Sequence, residues 1–290
     1  MTSTDGTIVG TTKILDHGSP LDRWNLVILS EGYRSDQLDN FHLRALELTT
    51  RLVQTPPFDS HAEAINVYRV DVASTDAGAD DPDRCGSGVR VKTYFDGRYC
   101  SDGVTHRALD VDEDLAQTVA FNELLETRAV LVTVNSPAWG GIGDAVHGVA
   151  VCSDHPHAFE IALHELGHAA FNLADEYCTD DPSHRRHPAV EPQEANVTIN
   201  SNPGTIKWGS LITPVIPVPT TSNQDCNRCD PQPSPVVDGA VGAFEGGDEF
   251  ACGVYRGEFQ CIMRDPRFAL CAVCQQQIGA VLSPYLPPLP

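Results

Sequence analysis

Two histidines four residues apart flank a glutamate in the segment His164-Glu165-Leu166-Gly167-His168. On an α-helix, residues i and i+4 stand one turn above each other, so the imidazoles of His164 and His168 would face the same point. Imidazole nitrogen is a preferred ligand of zinc, which lowers the pKa of a bound water to about 7. Glu165 is placed to take a proton from such a water instead of binding the ion. The segment therefore predicts hydrolytic chemistry at one catalytic Zn²⁺ ion.

A catalytic zinc site needs a third protein ligand and one coordination position that stays open for water. Asp175 and Glu176 follow the expected helix end at Asn172, and asparagine tolerates the left-handed conformation in which a chain turns after a helix. We expect Asp175 to be the third ligand and keep Glu176 as the alternative. A ligand from a later segment would be Glu191 or Glu194. Asp175 and Glu176 could also merely cap the helix or form ion pairs, which would leave a two-histidine site incomplete.

Hydrophobic periodicity predicts the elements that must position this motif. Strands are predicted over residues 24–29, 66–73, 89–95 and 128–135, and helices over residues 37–53 and 111–126. The run 128–135 is so apolar that both its faces must be covered, as in a central parallel strand. Residues 147–153 predict a short strand at the sheet edge, which leads into the motif helix over residues 157–172.

The chain changes character after the motif helix. Residues 180–235 are rich in Pro, Asn, Ser and Thr, which predicts irregular structure, and a last helix is expected over about residues 272–282. We therefore expect one α/β (α+β) catalytic domain, with a mixed twisted sheet and the active-site helix above an irregular, disulfide-braced lower subdomain. Its expected parts are an N-terminal extension (1–20), the upper subdomain (21–173) and the lower subdomain (174–290).

Ten cysteines in 290 residues are more than a cytosolic enzyme usually carries, so we expect disulfides and an extracellular, secreted protein. Cys85 and Cys100 enclose a short segment that a disulfide could close. The alternative to disulfides is a tetrahedral structural zinc site of two Cys-x-x-Cys pairs. These pairs are Cys226/Cys229 and Cys271/Cys274.

Charge and hydropathy exclude several classes of partner. The formal net charge of −21 would repel phosphate backbones, so we expect no nucleic-acid partner. No apolar run reaches the 18 or so residues that membrane insertion needs, and residues 1–10 lack the features of a signal peptide. The acidic segment 76–83 is a candidate structural Ca²⁺ site, although it lacks the spaced ligands of a calcium-binding loop. We expect a monomer.

Residues 164–177 (HELGHAAFNLADEY) resemble the active-site segment of the IgA peptidase family of zinc metallopeptidases. Segments elsewhere are also similar, so that the resemblance covers most of the chain. They are residues 23–33 (RWNLVILSEGY), 65–72 (INVYRVDV), 93–103 (TYFDGRYCSDG), 135–141 (NSPAWGG), 241–247 (VGAFEGG), 253–256 (GVYR), 261–264 (CIMR) and 271–274 (CAVC). The resemblance implies a metzincin-like zincin fold, in which Met263 would form the methionine turn beneath the metal. It also implies His164, His168 and Asp175 as ligands and Glu165 as general base.

These observations predict a zinc metalloendopeptidase that hydrolyses extended protein or peptide substrates. The substrate would add antiparallel to the edge strand near residues 147–153. Tyr255 is the candidate donor to the developing oxyanion, with Tyr177 second. One alternative is a non-peptidase binding or adhesion module that keeps zinc for structure, which would have no need of Glu165. Another is a zinc amidase that acts on cell-wall peptides.

Overall fold

The computed structural model describes residues 5–229 and 233–288. Contacts divide these residues into two compact units, which are described separately. Unit 1 comprises residues 5–170 and 282–288. Unit 2 comprises residues 171–229 and 233–281.

Six strands in the described part of unit 1 form one mixed sheet with the order β1-β3-β2-β4-β6-β5. The strands are β1 (Gly6–Leu15), β2 (Trp24–Glu31), β3 (Ile65–Ser74), β4 (Thr127–Val134), β5 (Gly141–Asp144) and β6 (Val149–Ser153). The four inner strands run parallel, whereas β1 and β5 pair antiparallel at the two edges. All eight residues of β2 are buried, as a central parallel strand requires.

Helices cover this sheet. They are α1 (Leu38–Leu52), α2 (Glu113–Glu123) and α3 (Ala158–Phe171), with short 3-10 helices at Pro20–Asp22, Ser35–Gln37, Ala62–Ala64 and Ser283–Tyr285. The carboxylate of Asp112 caps α2 by accepting from the backbone N–H of Leu115 at 2.9 Å. Arg51 of α1 donates to Glu160 of α3 at 2.6 Å, and its guanidinium lies over the ring of Phe159. The α3 helix is thereby fixed against α1.

Three strands in the described part of unit 2 form a small antiparallel sheet with the order β7-β9-β8. They are β7 (Val197–Thr198), β8 (Phe244–Gly247) and β9 (Phe250–Arg256). The helix α4 (Ala272–Leu282) and 3-10 helices at Pro182–His184 and Gly209–Leu211 complete the regular structure. Much of the remainder is loop, which agrees with the irregular region predicted after the motif helix.

Disulfides join Cys85 to Cys100 in unit 1, and Cys178 to Cys229 and Cys226 to Cys252 in unit 2. The predicted bridge between Cys85 and Cys100 is confirmed. The alternative zinc site of two Cys-x-x-Cys pairs is wrong, because Cys226 and Cys229 each pair with a cysteine elsewhere. Such bonds are typical of an extracellular protein. None of the described helices is long and apolar enough to cross a membrane.

The strand predicted over residues 89–95 is wrong. Only Val89 forms a bridge there, with Asp81, and the following backbone N–H groups donate to side chains. Asp80 accepts from Val91 at 2.8 Å, and Glu31 accepts from Phe95 at 3.0 Å. Because carboxylates satisfy these donors, the segment has no need of a neighbouring strand.

The predicted edge position of residues 147–153 is also wrong. The strand there is β6, which lies between β4 and β5, so the edge of the sheet is β5. The β5 segment contains Gly141 and Gly143, and glycine usually weakens a strand. Here each glycine permits a close approach of α3, as described below.

Candidate metal centre

The α3 helix presents the two predicted imidazoles side by side. Phe159, Leu163 and Leu166 are buried, whereas His164 and His168 are half-buried on another face. The Nε2 atoms of His164 and His168 lie 3.2 Å apart, with their ring planes at 83°. An ion placed about 2.0–2.1 Å from both nitrogens would give a nitrogen–ion–nitrogen angle of about 100°, which is close to the tetrahedral angle. The histidine pair therefore fits a zinc ion without rearrangement.

The edge strand β5 lies directly against the motif turn of α3. A Cβ atom added to Gly141 would stand 2.8 Å from Oε1 of Glu165. A Cβ atom added to Gly143 would stand 2.4 Å from the carbonyl oxygen of Glu165 and 2.9 Å from Cβ of His168. Residues 141 and 143 face the same side of a strand, so both glycines are needed for this approach. The Glu165 carboxylate consequently lies beside β5, the edge strand of the sheet.

The chain turns directly after α3. Asn172 adopts the expected left-handed conformation, with φ of 52°. Its side chain donates to the carbonyl of Gln193 at 3.0 Å, and its carbonyl accepts from Ala195 at 3.1 Å. Two residues later, the Asn196 amide exchanges two hydrogen bonds with the backbone of Ala174, at 2.8 and 2.9 Å. The start of the exit segment is thus held by residues 193–196.

The next two residues are fixed by their backbone. The carbonyl of Asp175 accepts from the N–H of Asp248 at 2.7 Å, and the N–H of Glu176 donates to the carbonyl of Met263 at 2.7 Å. In the continuous segment 164–175, one ligand atom from each of His164, His168 and Asp175 lies within 4.8 Å of the others. Two imidazoles and a carboxylate are a donor set that zinc enzymes use.

Two of the three alternative third ligands, Glu176 and Glu191, have other partners. Glu176 is buried, and its Oε1 accepts from the Asn196 amide at 3.0 Å. The Glu191 carboxylate accepts from the hydroxyl of Thr198 at 2.6 Å and lies 3.1 Å from the ammonium of Lys207. Both carboxylates are therefore engaged in structure within unit 2.

A family model described as IgA Peptidase M64 matches residues 12–230 and 234–282. The match spans most of the chain. The chain belongs to the IgA peptidase M64 family. It is accordingly a peptidase, and the family predicted from its sequence motifs is confirmed. No curated protein matches the chain.

In this M64 peptidase, two further residues named from the sequence lie in unit 2. Met263 is fully buried, and its carbonyl bonds to the residue after Asp175. Tyr255 lies on β9 opposite Thr198 and Glu245 and is half-buried. Burial, together with the charge of Glu245, raises the pKa of the Tyr255 hydroxyl, so it stays a hydrogen-bond donor at neutral pH. Its part in oxyanion binding stays a prediction.

The M64 chain also contains a polar cluster at the end of β5 that the sequence reasoning missed. Glu113, Asp144 and His147 each offer a ligand atom within 4.8 Å of the others. The His147 Nδ1 lies 2.9 Å from Asp144 and 3.2 Å from Glu113. Burial and the neighbouring Asp144 raise the pKa of Glu113 to about 8. Against its own burial, hydrogen bonds from Glu113 and His147 lower the pKa of Asp144 to about 2. The two carboxyl groups therefore share one proton at neutral pH.

The acidic segment 76–83 forms bends, with isolated bridges at Asp80 and Asp81. The Asp76 carboxylate accepts from the backbone N–H of Lys92 at 2.8 Å, and the Asp81 carboxylate accepts from that of Ser87 at 2.8 Å. In residues 5–229 and 233–288, none of the groups that could hold a metal includes an acid of this segment. The calcium site stays a prediction without structural support.

Proposed function

We propose that this M64 peptidase is a zinc-dependent metalloendopeptidase, in which His164, His168 and Asp175 hold the catalytic ion and Glu165 is the general base. The observation that carries the proposal is the pair of imidazole nitrogens 3.2 Å apart on one helix face, with a carboxylate oxygen of Asp175 in the same ligand group. Three protein ligands leave one coordination position for water, whereas structural zinc sites close all four.

The placement of Glu165 beside the histidine pair supports the proposed catalytic roles. When bound, zinc would polarise the scissile carbonyl and lower the pKa of a water molecule. Glu165 takes the proton from the attacking water and returns it to the leaving amine, so that its carboxylate is regenerated in each cycle. Tyr255 or Tyr177 would donate to the oxyanion. The metzincin-like arrangement, with Met263 beneath the ion, belongs to the same proposal.

We further propose that an extended substrate pairs with β5, which replaces residues 147–153 as the docking strand. The N–H of Gly141 donates to the carbonyl of Arg107, so the backbone groups of Gly141 face away from β6. Backbone groups alternate in direction along a strand, so those of Gly143 also face away from β6, beyond the bridge that Gly141 forms with Ala108. A peptide bonded to Gly143 would pass beside Glu165. Since the disulfides indicate an extracellular protein, we propose that it is secreted and acts on proteins outside the cell.

The decisive experiment compares the wild type with Glu165→Gln. Glutamine keeps the shape of the side chain but cannot take a proton, so cleavage of casein should fall by about 10²- to 10⁴-fold while the zinc content stays unchanged. The matched control is Glu63→Gln, an exposed glutamate in a 3-10 helix of unit 1, which should cleave at the wild-type rate. A Glu165→Gln variant that retains zinc and cleaves as fast as the wild type would refute the base assignment. Turnover of peptidoglycan fragments but not of proteins would favour the amidase instead.

A further inference from the structure

Three free cysteines and one glutamate meet inside unit 2, away from water. This group, called the cysteine cluster below, consists of Cys261, Cys271, Cys274 and Glu176. The four side chains are between 0 and 3% exposed. None of the three thiols takes part in a disulfide, although the other cysteines of unit 2 do.

The distances within the cysteine cluster match a tetrahedral metal site. The Sγ atoms of Cys261 and Cys274 lie 3.7 Å apart. Oε1 of Glu176 lies 3.3 Å from Sγ of Cys274 and 3.6 Å from Sγ of Cys271. Zinc with ligands at about 2.3 Å for sulfur and about 2.0 Å for oxygen requires separations of about 3.8 Å between sulfurs and about 3.5 Å between sulfur and oxygen. The donors thus already surround one point at the right spacing.

The surroundings supply the hydrogen bonds that orient such ligands. The backbone N–H of Cys271 donates to Sγ of Cys261 at 3.3 Å, and that of Cys274 donates to Sγ of Cys271 at 3.4 Å. The Asn196 amide donates to Oε1 of Glu176 at 3.0 Å. Donors aimed at thiolate and carboxylate acceptors are the usual outer shell of a metal site, because they favour the deprotonated ligands.

A second, independent observation points to a cation ligand at the cysteine cluster. Oε2 of Glu176 is buried without a hydrogen-bond partner. A buried carboxylate oxygen that has lost its water costs free energy unless a proton, a donor or an ion satisfies it. The fully buried Arg256 interacts electrostatically with Glu176, but its Nη1 donates to the carbonyls of Glu245 and Gly246. A divalent ion among the thiols would satisfy the glutamate directly.

We propose that Cys261, Cys271, Cys274 and Glu176 bind a second, structural Zn²⁺ ion. Four protein ligands close its coordination sphere, so this ion has no position for water and takes no part in hydrolysis. The ion would join the start of α4, the segment after β9 and the segment that follows α3. It would also explain why these three thiols stay reduced in unit 2, where Cys178, Cys226, Cys229 and Cys252 form disulfides.

The test measures bound zinc in the full chain, purified without chelator, by inductively coupled plasma mass spectrometry. The background is the double variant His164→Ala/His168→Ala, which removes the proposed catalytic ion and makes the result independent of the proposed function. We expect one zinc per chain in this background and none after the addition of Cys274→Ser. Addition of Cys152→Ser, which changes a buried free cysteine on β6, is the matched control and should keep one zinc.

Two readouts need no cysteine variant and remain valid if Cys274→Ser fails to fold. Cobalt substituted into the His164→Ala/His168→Ala background should give the intense near-ultraviolet absorption of thiolate-to-cobalt charge transfer. Thiol titration in denaturant with a chelator should find the three cluster thiols reduced, together with Cys152. Absence of zinc from this background, or a disulfide between any two of Cys261, Cys271 and Cys274, would overturn the proposal.

Discussion

The contact between β5 and α3 can be tested with one added methyl group. Gly143 has no left-handed backbone, so alanine is tolerated conformationally and Gly143→Ala is a purely steric change. The new Cβ would stand 2.4 Å from the carbonyl oxygen of Glu165, whereas ordinary contacts begin at about 3.4 Å. Either β5 or the motif turn must therefore move by about 1 Å.

This displacement sets the expected magnitudes. Overpacking of this kind typically costs about 1–3 kcal/mol of the free energy of unfolding. A misplacement of about 1 Å at a catalytic group can cost about 10²-fold in rate. Because His168 lies 2.9 Å from the same Cβ position, zinc affinity should weaken together with the rate.

The assays are urea unfolding, zinc titration and casein cleavage. The matched control is Gly10→Ala on the opposite edge strand β1, where an added Cβ meets nothing within 4 Å, and it should leave all three measurements unchanged. Wild-type stability and wild-type cleavage in Gly143→Ala would show that β5 does not lie against the motif turn, and the proposed docking strand would then have to be abandoned.

Three further predictions concern other parts of the chain. Asp175→Asn should weaken zinc binding at the histidine pair by more than about 10-fold in a competition titration with a chelator, since even outer-shell partners contribute that much; unchanged affinity would exclude Asp175 as a ligand. The folded state favours protonated Glu113, so its contribution to stability is complete below pH 4.5 and is lost as the pH rises towards 8. Glu113→Gln should therefore be more stable than the wild type at pH 9 by about 1–2 kcal/mol, after allowance for solvent screening. Denaturant unfolding at pH 5 and pH 9 measures this, and equal stability of the two proteins at pH 9 would contradict the prediction. Replacement of both Cys85 and Cys100 by serine opens a loop with a sequence separation of 15 and should lower the free energy of unfolding by about 3 kcal/mol. An unfolding midpoint equal to that of the wild type would contradict this prediction.

The elements that the sequence predicts well are those with a strong local pattern. The sequence predicts the last helix over residues 272–282, and α4 has those bounds. The apolar run at 128–135 became the central strand β4, one residue earlier. In both segments, local propensity and burial require the same structure, so no knowledge of the partners was needed.

The elements that escaped prediction depend on partners distant in sequence. The edge strand β1 falls within the expected N-terminal extension, because its residues, none of which is buried, give no apolar run. Gly141 and Gly143 give β5 no hydrophobic strand pattern, yet the segment pairs with β6 and lies against α3. Disulfide pairing is equally hard to predict, because Cys226 and Cys229 are close in sequence but bond to Cys252 and Cys178, respectively. Composition alone contains no information on these long-range contacts.

The neighbours Asp175 and Glu176 belong to two different groups of possible metal ligands. The segment after Asn172 has no helical structure, and successive side chains of an extended chain point to opposite sides. Asp175 belongs to a ligand group with two imidazoles, and Glu176 belongs to one with three thiols. The sequence left both acids as candidates for the catalytic ion because it does not reveal which side each faces. Since the thiols and Asn196 already surround the Glu176 carboxylate, its transfer to the histidine pair would break buried contacts, whereas Asp175 needs no such change. If both ions bind as proposed, removal of the thiol-bound ion should loosen the segment that carries Asp175. Cys274→Ser should therefore weaken zinc binding at the histidine pair, although Cys274 is not a ligand of that ion.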